Sequence, residues 1–228
     1  MDFRSVDAFL FDLDGTLVDT VDDLAASIDR ALVAMDKPLV GAVNVRKWIG
    51  NGLDRLLKRA LSGTADGEPD PGEVAQAHAL FDHFYTEHIC EASLLYAGAE
   101  ALLQLLEERR LGTAIVTNKP RVFTDPLIDR IGIRRYINVV VAGGDTERLK
   151  PDPEPIFQAL AGLGVEAGSA VMIGDSRNDV DAAHNAGMPC VGVSYGYNHG
   201  EDIRDSGADL VVDSLSELFD LILGHTKG

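Results

Sequence analysis

Cysteine is scarce in this chain, and its scarcity limits the kinds of site that the protein can hold. Cys90 and Cys190 are the only cysteines among the 228 residues. Two lone thiols supply neither a disulfide framework nor a set of zinc ligands. A reducing compartment is the simplest interpretation, and we therefore expect a cytoplasmic protein.

Long apolar stretches are also missing. No uninterrupted apolar run approaches the about 18 residues that a membrane-spanning helix requires, and the first residues lack the basic and apolar pattern of a signal peptide. We therefore expect no membrane partner.

Positive charge is the third shortage. There are 20 Lys and Arg residues against 37 Asp and Glu, which gives a formal net charge of −17. This balance argues against nucleic acid or an anionic membrane as the main partner. The whole chain would also repel an anionic substrate, so any site for such a substrate needs strong local positive charge.

The length of the chain allows one large domain or two small ones.

Helix and strand signals divide the chain into two unlike parts. Residues 19–91 carry helical patterns and no convincing strand; the predicted helices are residues 19–35, 43–61 with an interruption at Gly50 and Gly52, and 71–91. A buried strand is predicted earlier, at residues 6–13, and from residue 99 onward short apolar strands alternate with helices. This alternation predicts right-handed crossovers and a parallel sheet, with the helical block inserted after the first strand. The later predicted strands are residues 112–117, 137–141, 170–173, 190–193 and 208–212.

Two carboxylates, Asp12 and Asp14, stand where the first strand meets a turn at Gly15. Isolated charges resist leaving water, so a buried strand that ends in acids is badly placed for stability. In open α/β sheets, ligands bind beyond the carboxyl ends of the strands, which favours a functional role. The alternative is a loop acid that caps the next helix.

Polar side chains follow three more predicted strands: Thr117 with Asn118, then Lys150, and then Asp175 with Asp179. Each has a structural alternative, as a turn cap, a solvated loop lysine or a helix cap. A parallel sheet brings all of these strand ends to one edge, however, and independent structural reasons at every one of them are improbable together.

These groups share a chemical task. Acids at Asp12, Asp14 and Asp175 form a hard oxygen site that suits Mg²⁺, an ion that binds a few carboxylates together with a substrate phosphate. The metal and Lys150 would supply the positive field that the chain lacks as a whole. A carboxylate placed there can attack phosphorus and form an aspartyl-phosphate. Donors to the phosphate oxygens would be Thr117, Asn118 and the backbone N–H of Gly15.

Four segments, residues 12–16, 115–118, 150–153 and 174–179, resemble the four ordered motifs of the haloacid dehalogenase superfamily. The resemblance implies a Rossmann-like, doubly wound parallel sheet core with an α-helical cap inserted after the first strand. We expect the core to comprise residues 1–18 and 92–228, and the cap residues 19–91.

The resemblance also implies roles for individual residues. Asp12 is similar to the nucleophile of the superfamily, and Asp14 to its general acid/base. Thr117, Asn118 and Lys150 are similar to the phosphate clamp. The implied metal ligands are Asp12, the backbone carbonyl of Asp14, Asp175 and Asp179.

Single residues favour one branch of the superfamily. Asp14 favours phosphorus chemistry over dehalogenation, and Thr16 favours a phosphatase over a mutase. Residues 48–52, 117–120, 141–145 and 195–198 resemble those of phosphoglycolate phosphatases. We therefore predict Mg²⁺-dependent hydrolysis of a small phosphorylated metabolite, with 2-phosphoglycolate first and sugar phosphates, nucleotides or pyrophosphate as alternatives.

A different class of protein also fits part of the pattern. Receiver domains of signalling relays hold an Asp cluster, a Thr and a Lys at the end of a parallel sheet and accept phosphate without being phosphatases. They are about half this length and lack a helical insertion. A non-catalytic or regulatory protein on the same fold is the remaining alternative, against which the intact acid set argues.

Five of the 20 basic residues lie between Arg46 and Arg59, which is a marked cluster in so acidic a chain. We predict that one or more of these basic residues, with Arg46, Lys47 and Arg55 as the candidates, contact the carboxylate of the substrate together with Asn51. The alternative is a solvated helix face that pairs with nearby acids. Lys119 is a further residue that we expect to face the cap.

Overall fold

The structure, a computed structural model, describes residues 2–224 and contains a six-stranded sheet in the order β5-β4-β1-β6-β7-β8. All five neighbouring pairs of this sheet are parallel. The fold is therefore α/β, as the sequence predicts. The strands are β1 (Ala8–Phe11), β4 (Gly112–Pro120), β5 (Val139–Gly143), β6 (Ala170–Gly174), β7 (Cys190–Val193) and β8 (Leu210–Val212).

The central strand β1 is buried on both faces, which explains why its sequence is continuously apolar. Because successive side chains of a strand alternate, Phe9 and Phe11 enter one buried cluster, while Ala8 and Leu10 enter another. Each cluster lies between the sheet and a layer of helices. The first holds α5 (Ala99–Glu108), α6 (Arg121–Arg130) and α9 (Leu215–Leu223), and the second α7 (Glu154–Leu163) and α8 (Arg177–Asn185).

Along the chain, four helices follow β1 and precede the other strands of the six-stranded sheet. We call residues 21–88 the helical segment. The chain breaks between the second and third helices, where Gly50 (φ 118°) and Gly52 (φ 83°) adopt backbone conformations that side chains disfavour. The sequence predicts this interruption. The helices are α1 (Val21–Ala34), α2 (Gly41–Trp48), α3 (Leu53–Ser62) and α4 (Pro71–His88).

Two short strands, which the sequence analysis did not predict, flank the helical segment. In β2 (Val18–Asp19) and β3 (Leu94–Leu95), Val18 pairs with Leu95 in antiparallel register. Residue 19 therefore belongs to a strand rather than to the first helix, which begins at Val21. Two residues are too few to show a strand periodicity, so the signal was absent.

One continuous buried cluster links the sheet to the helical segment. It runs from Phe9 and Phe11 of β1 to Leu24 of α1 and Phe81 of α4. The rings of Phe81 and Phe123 meet edge-on at 5.8 Å, which connects α4 directly to α6. Among residues 2–224, no helix has both the length and the apolar character needed to span a bilayer.

Candidate active site

Three neighbouring central strands, β4, β1 and β6, carry polar residues at their carboxyl ends. Asp12 follows β1, Thr117 and Asn118 belong to the last part of β4, and Asp175 follows β6. Lys150 reaches the same place from the loop after β5. All of them line one pocket between the sheet edge and the helical segment. The strand β4 extends three residues beyond its predicted end, and its pairing with β5 shifts register between Val116 and Pro120.

The ammonium group of Lys150 lies at the centre of the polar cluster. Its Nζ is 2.6 Å from Asp179 Oδ1, 2.9 Å from Asp12 Oδ1 and 2.6 Å from the Val116 carbonyl. The side chain is buried, which opposes its charge, but the Asp12 and Asp179 carboxylates outweigh this cost and raise the pKa of Lys150. Lys150 therefore remains a cation on the sheet side of the pocket.

Three buried carboxylates surround this one lysine. Oxygen atoms of Asp12, Asp175 and Asp179 all lie within 4.8 Å of one another. Burial raises the pKa of Asp12 to about 6, with Lys150 opposing the shift and Asp179 reinforcing it. Burial, with repulsion from Asp179 and Asp12, raises the pKa of Asp175 well above its usual value. A single lysine thus compensates this cluster only in part.

The donor set fits a hard divalent cation. The contact of Asp12 Oδ1 with Lys150 is ionic and lies outside hydrogen-bond geometry, so this buried oxygen has no hydrogen-bond donor. Carboxylate oxygens that are buried, clustered and undercompensated are the ligands that Mg²⁺ prefers. The residues at this edge therefore fit the Mg²⁺ that the sequence analysis expects.

The loop after β6 holds Asp175 in place. Oδ1 of Asp175 accepts from the Thr16 hydroxyl at 3.2 Å, and Oδ2 accepts from the Tyr197 backbone N–H at 2.6 Å. The N-cap of α8 is Ser176, not Asp175, and it forms a capping box with Asp179. Asp175 is thereby free of the capping role that was its structural alternative.

Gly15 allows the turn after β1 to approach the acid cluster. It has a φ of 87°, and a Cβ atom at this position would collide with the Asp175 carboxylate and with the Tyr197 ring. Its backbone N–H donates to the Val18 carbonyl at 2.8 Å. The predicted donation of this N–H to phosphate stays a prediction.

Asp14 lies beside the acid cluster and has its own partners. One of its oxygens accepts from the Thr20 hydroxyl at 2.6 Å. Its two oxygens lie 3.2 and 3.3 Å from Nζ of Lys119, which also donates to the Tyr85 hydroxyl at 2.8 Å. Lys119 is buried, but Asp14 and Tyr85 more than offset this and raise its pKa. Lys119 thus links Asp14 to helix α4.

Asn118 acts as a brace between three parts of the site. Its Oδ1 accepts from the Lys150 backbone N–H at 2.9 Å, and its Nδ2 donates to the Lys150 carbonyl at 2.9 Å and to the Gly50 carbonyl at 3.0 Å. A second amide, that of Asn178, also donates to the Gly50 carbonyl, at 3.1 Å. The side chain of Asn118 therefore positions Lys150 and the loop at Gly50, while the nearby Thr117 hydroxyl accepts from the Lys119 backbone N–H at 3.3 Å.

The pocket has two unlike sides, which we call the floor and the roof. The floor is the polar sheet edge, and its residues are Asp12, Asp14, Thr117, Lys150, Asp175 and Asp179. The roof is contributed by the helical segment and is almost entirely apolar. Its residues are Leu24, Ile49, Leu53, Leu56, Phe81 and Tyr85.

The four residues predicted to read the substrate do not line this pocket. Arg55 contacts Asp66 at 3.0 Å and Glu68 at 2.7 Å. Asn51 Oδ1 accepts from Arg59 at 2.9 Å. Arg46 lies over the Tyr197 ring at 4.8 Å, and Lys47 is exposed on the same helix. Their role in specificity stays a prediction, without support from the geometry.

Sequence reasoning did not identify the roof. Phe81 and Tyr85 are four residues apart on α4 and show only the apolar periodicity of a helix packed on a core. Pocket lining and core packing require the same residue types at the same spacing, so periodicity does not separate them. Lys119, expected only to face the cap, is the one roof-facing residue that the sequence analysis noted.

Comparisons with known proteins agree with this architecture. The family model described as haloacid dehalogenase-like hydrolase matches residues 9–193. The phosphoglycolate phosphatase of Yersinia pseudotuberculosis is 41% identical over 220 residues, covering 96% of this chain and 94% of that protein. That of Nitrosococcus oceani is 41% identical over 219 residues, covering 96% and 97%.

Solved structures give the same answer at the level of the fold. A protein of Haemophilus somnus, described as a predicted phosphoglycolate phosphatase, superposes with a TM-score of 0.89 at 31% identity, covering 96% of this chain and 98% of that one. CbbY from Rhodobacter sphaeroides, solved in complex with phosphate, has a TM-score of 0.79 at 25% identity, covering 93% and 96%.

Proposed function

The chain belongs to the haloacid dehalogenase-like hydrolases and is a phosphomonoester hydrolase, and from this premise we propose that it hydrolyses 2-phosphoglycolate with Mg²⁺ through an aspartyl-phosphate on Asp12. The proposal rests on one observation above all. Oxygen atoms of Asp12, Asp175 and Asp179, which come from the ends of two strands and the first turn of α8, lie within 4.8 Å of one another, and Lys150 contacts Asp12 and Asp179 from the loop after β5. Nothing in the fold requires such a costly cluster for stability.

In the first half-reaction, a carboxylate oxygen of Asp12 attacks phosphorus, and the bond between phosphorus and the ester oxygen breaks. Asp14, two residues further along the turn, donates a proton to the leaving alkoxide, which departs as glycolate. The phosphoryl group remains on Asp12 as an acyl phosphate.

In the second half-reaction, Asp14 accepts a proton from a water molecule, whose oxygen attacks phosphorus. The acyl phosphate bond breaks, inorganic phosphate leaves and the Asp12 carboxylate is restored. Asp14 thus donates one proton and takes one back in each cycle. Thr20, which donates to one oxygen of Asp14, holds this carboxyl group in position.

Charge at the floor makes attack by a carboxylate on an anionic phosphate feasible. Asp12, the backbone carbonyl of Asp14, Asp175 and Asp179 would hold Mg²⁺, which when bound neutralises charge on the phosphoryl oxygens. Lys150 faces the same region, and the Thr117 hydroxyl and the Gly15 backbone N–H are the further donors that we propose for the phosphoryl oxygens. Asn118 contributes by fixing the backbone of Lys150 on both sides.

We also propose the division into a core of residues 1–18 and 92–228 and a cap of residues 19–91. The antiparallel pair of β2 and β3 supports it, because the two ends of the helical segment leave and rejoin the core side by side. A cap held at such a neck can exclude water from the site when it closes.

The test is a matched panel of phosphorylated metabolites with Mg²⁺, in which 2-phosphoglycolate should have the highest kcat/KM. Sugar phosphates, nucleotides and pyrophosphate are the competitors, and a clear preference for any of them would replace the substrate assignment. Activity should disappear with EDTA and return with Mg²⁺.

The covalent step needs its own measurement. Protein quenched in acid during turnover of ³²P-labelled substrate should carry label, and the Asp12→Asn variant should carry none. Turnover without labelled protein would argue against the aspartyl-phosphate. Stable label without turnover would instead favour the non-catalytic phospho-acceptor.

A further inference from the structure

Among the pocket-lining side chains of residues 2–224, only Lys119 and Lys150 are cationic. Lys150 donates to the Val116 carbonyl and to Asp179, and it forms an ion pair with Asp12 at 2.9 Å, so its charge is already balanced within the floor. The basic cluster on α2 and α3 contributes no side chain to the lining. Lys119 is therefore the cation available to a second anionic group of a substrate.

The partners of Lys119 leave room for such a group. Its ammonium group has three donor hydrogens. It meets Asp14 at 3.2 and 3.3 Å, which is long for a charged hydrogen bond, and it donates to the Tyr85 hydroxyl at 2.8 Å. Tyr85 also presents its ring 4.7 Å from the same nitrogen. A third acceptor can bind without breaking either contact.

The position of Lys119 also fixes where that acceptor lies along the substrate. Lys119 contacts Asp14, the group proposed to protonate the ester oxygen. A group that reaches Lys119 must therefore sit close to the ester oxygen, within one or two carbon atoms. In 2-phosphoglycolate a single methylene separates the ester oxygen from the carboxylate.

The surroundings of Lys119 strengthen its effect. Its side chain is 4% exposed, and the roof residues Phe81 and Leu56 are apolar and buried. A charge pair in such a water-poor site attracts far more strongly than one at a surface. A neutral substituent on the substrate would gain no comparable interaction there.

We propose that Lys119 is the specificity-determining residue that binds a carboxylate one carbon away from the ester oxygen. The inference deepens the proposed function and rests on its placement of the phosphoryl group at Asp12. The carboxylate shares Lys119 with Asp14 and Tyr85. Selectivity thus comes from the residue directly after the Thr117–Asn118 pair, on the floor strand β4, and not from the basic cluster of the helical segment.

Binding of a non-hydrolysable pair tests this without turnover. 3-Phosphonopropionate keeps the carboxylate of the substrate. In 3-phosphonopropanamide a neutral amide group of nearly the same shape replaces that carboxylate, and the phosphonate is unchanged. Calorimetry with Mg²⁺ should show wild-type protein binding the carboxylate about 10- to 100-fold more tightly, the range expected for a hydrogen bond to a charged group. Equal affinities would overturn the inference.

Two neutral variants, Lys119→Met and Lys119→Gln, should bind the acid and the amide within about threefold of each other. The amide affinity serves as an internal control for folding, and the Gln variant keeps a polar group if the Met variant is unstable. Lys47→Met is the matched control, since it makes the same change at an exposed position outside the pocket. It should keep the wild-type preference. The inference would be wrong if the Lys119 variants kept the wild-type preference for the acid, or if the Lys47 variant lost it.

A third variant distinguishes a specificity role from a structural one. Asp14→Asn removes the anion that competes for Lys119, so the preference for the carboxylate should increase several-fold. If Lys119 only supported the fold, this variant would leave the preference unchanged. Failure of the proposed function would show differently, as absent hydrolysis of 2-phosphoglycolate by wild-type protein despite selective binding of the phosphonate.

Discussion

The floor and the roof of the pocket solve different physical problems. The floor concentrates three buried carboxylates and a buried lysine whose individual desolvation is unfavourable, and it holds them with hydrogen bonds from neighbouring loops. The roof is made of apolar side chains that also belong to the buried cluster of the molecule. In the floor, the arrangement that suits catalysis therefore lowers stability. In the roof, the same apolar contacts both stabilise the fold and enclose the pocket.

The largest expected contrast concerns activity. Replacing Asp12 with Asn in the floor should lower kcat by at least about 10⁴-fold, because the proposed nucleophile is lost. Steady-state kinetics with 2-phosphoglycolate and Mg²⁺ measure this. Leu53→Ala in the roof should change kcat by less than about tenfold. Similar losses at the two positions would erase the distinction between floor and roof.

Removing a roof ring should affect stability most. Phe81 is buried, stacks on Tyr85 at 5.1 Å and meets Phe123 at 5.8 Å. Phe81→Ala should lower the free energy of unfolding by about 3–5 kcal/mol, the usual range when a buried Phe is truncated to Ala. Denaturant unfolding measures the change, with kcat followed in parallel. An unaltered midpoint would show that the roof does not contribute to the core.

The floor should show the opposite effect on stability. In metal-free protein the pKa of Asp12 is raised to about 6 from an ordinary value of 3.8, so the native state binds more protons than the unfolded state between these values. The free energy of unfolding should therefore fall as the pH rises from about 4 to about 6, by on the order of 1–3 kcal/mol.

Asp12→Asn removes this titration, and the variant should lose that part of the pH dependence while becoming more stable than wild-type protein at pH 7. Unfolding experiments in EDTA across this pH range compare the two proteins. A variant less stable than wild type at neutral pH would show that the Asp12 carboxylate stabilises the native state.

The smallest effect is expected at the basic cluster outside both sides of the pocket. Arg55 contacts Asp66 and Glu68, which are largely exposed, and such surface pairs contribute little. Because Arg55 does not line the pocket, Arg55→Ala should change kcat/KM for 2-phosphoglycolate by less than about twofold. A selective loss on this substrate, relative to a neutral phosphoester, would instead favour the prediction made from the sequence.

The same contrast explains what the sequence could and could not predict. The sheet and the position of the floor residues were predictable, because buried parallel strands are continuously apolar and their polar ends stand out against that background. The parallel order of β4, β1 and β6 then brings Thr117, Asp12 and Asp175 together.

The contacts of the helical segment were less accessible to sequence reasoning. The charge cluster around Arg55 stands out in an acidic chain, but its partners lie 11 and 13 residues away in a loop without a regular pattern. The brace formed by Asn118 spans 68 residues to Gly50 and 32 to Lys150, and both acceptors are backbone carbonyls. At such sequence separations, residue types alone do not show which residues are in contact.

The two amides that converge on the Gly50 carbonyl have a consequence for how this protein can evolve. Asn118 and Asn178 recognise a main-chain oxygen, which every amino acid possesses. The contact between the loop at Gly50 and the sheet edge therefore does not depend on which side chains stand at neighbouring positions such as Ile49 and Leu53. Mutation can therefore change the apolar side chains beside this loop while the loop itself keeps its place against the sheet edge.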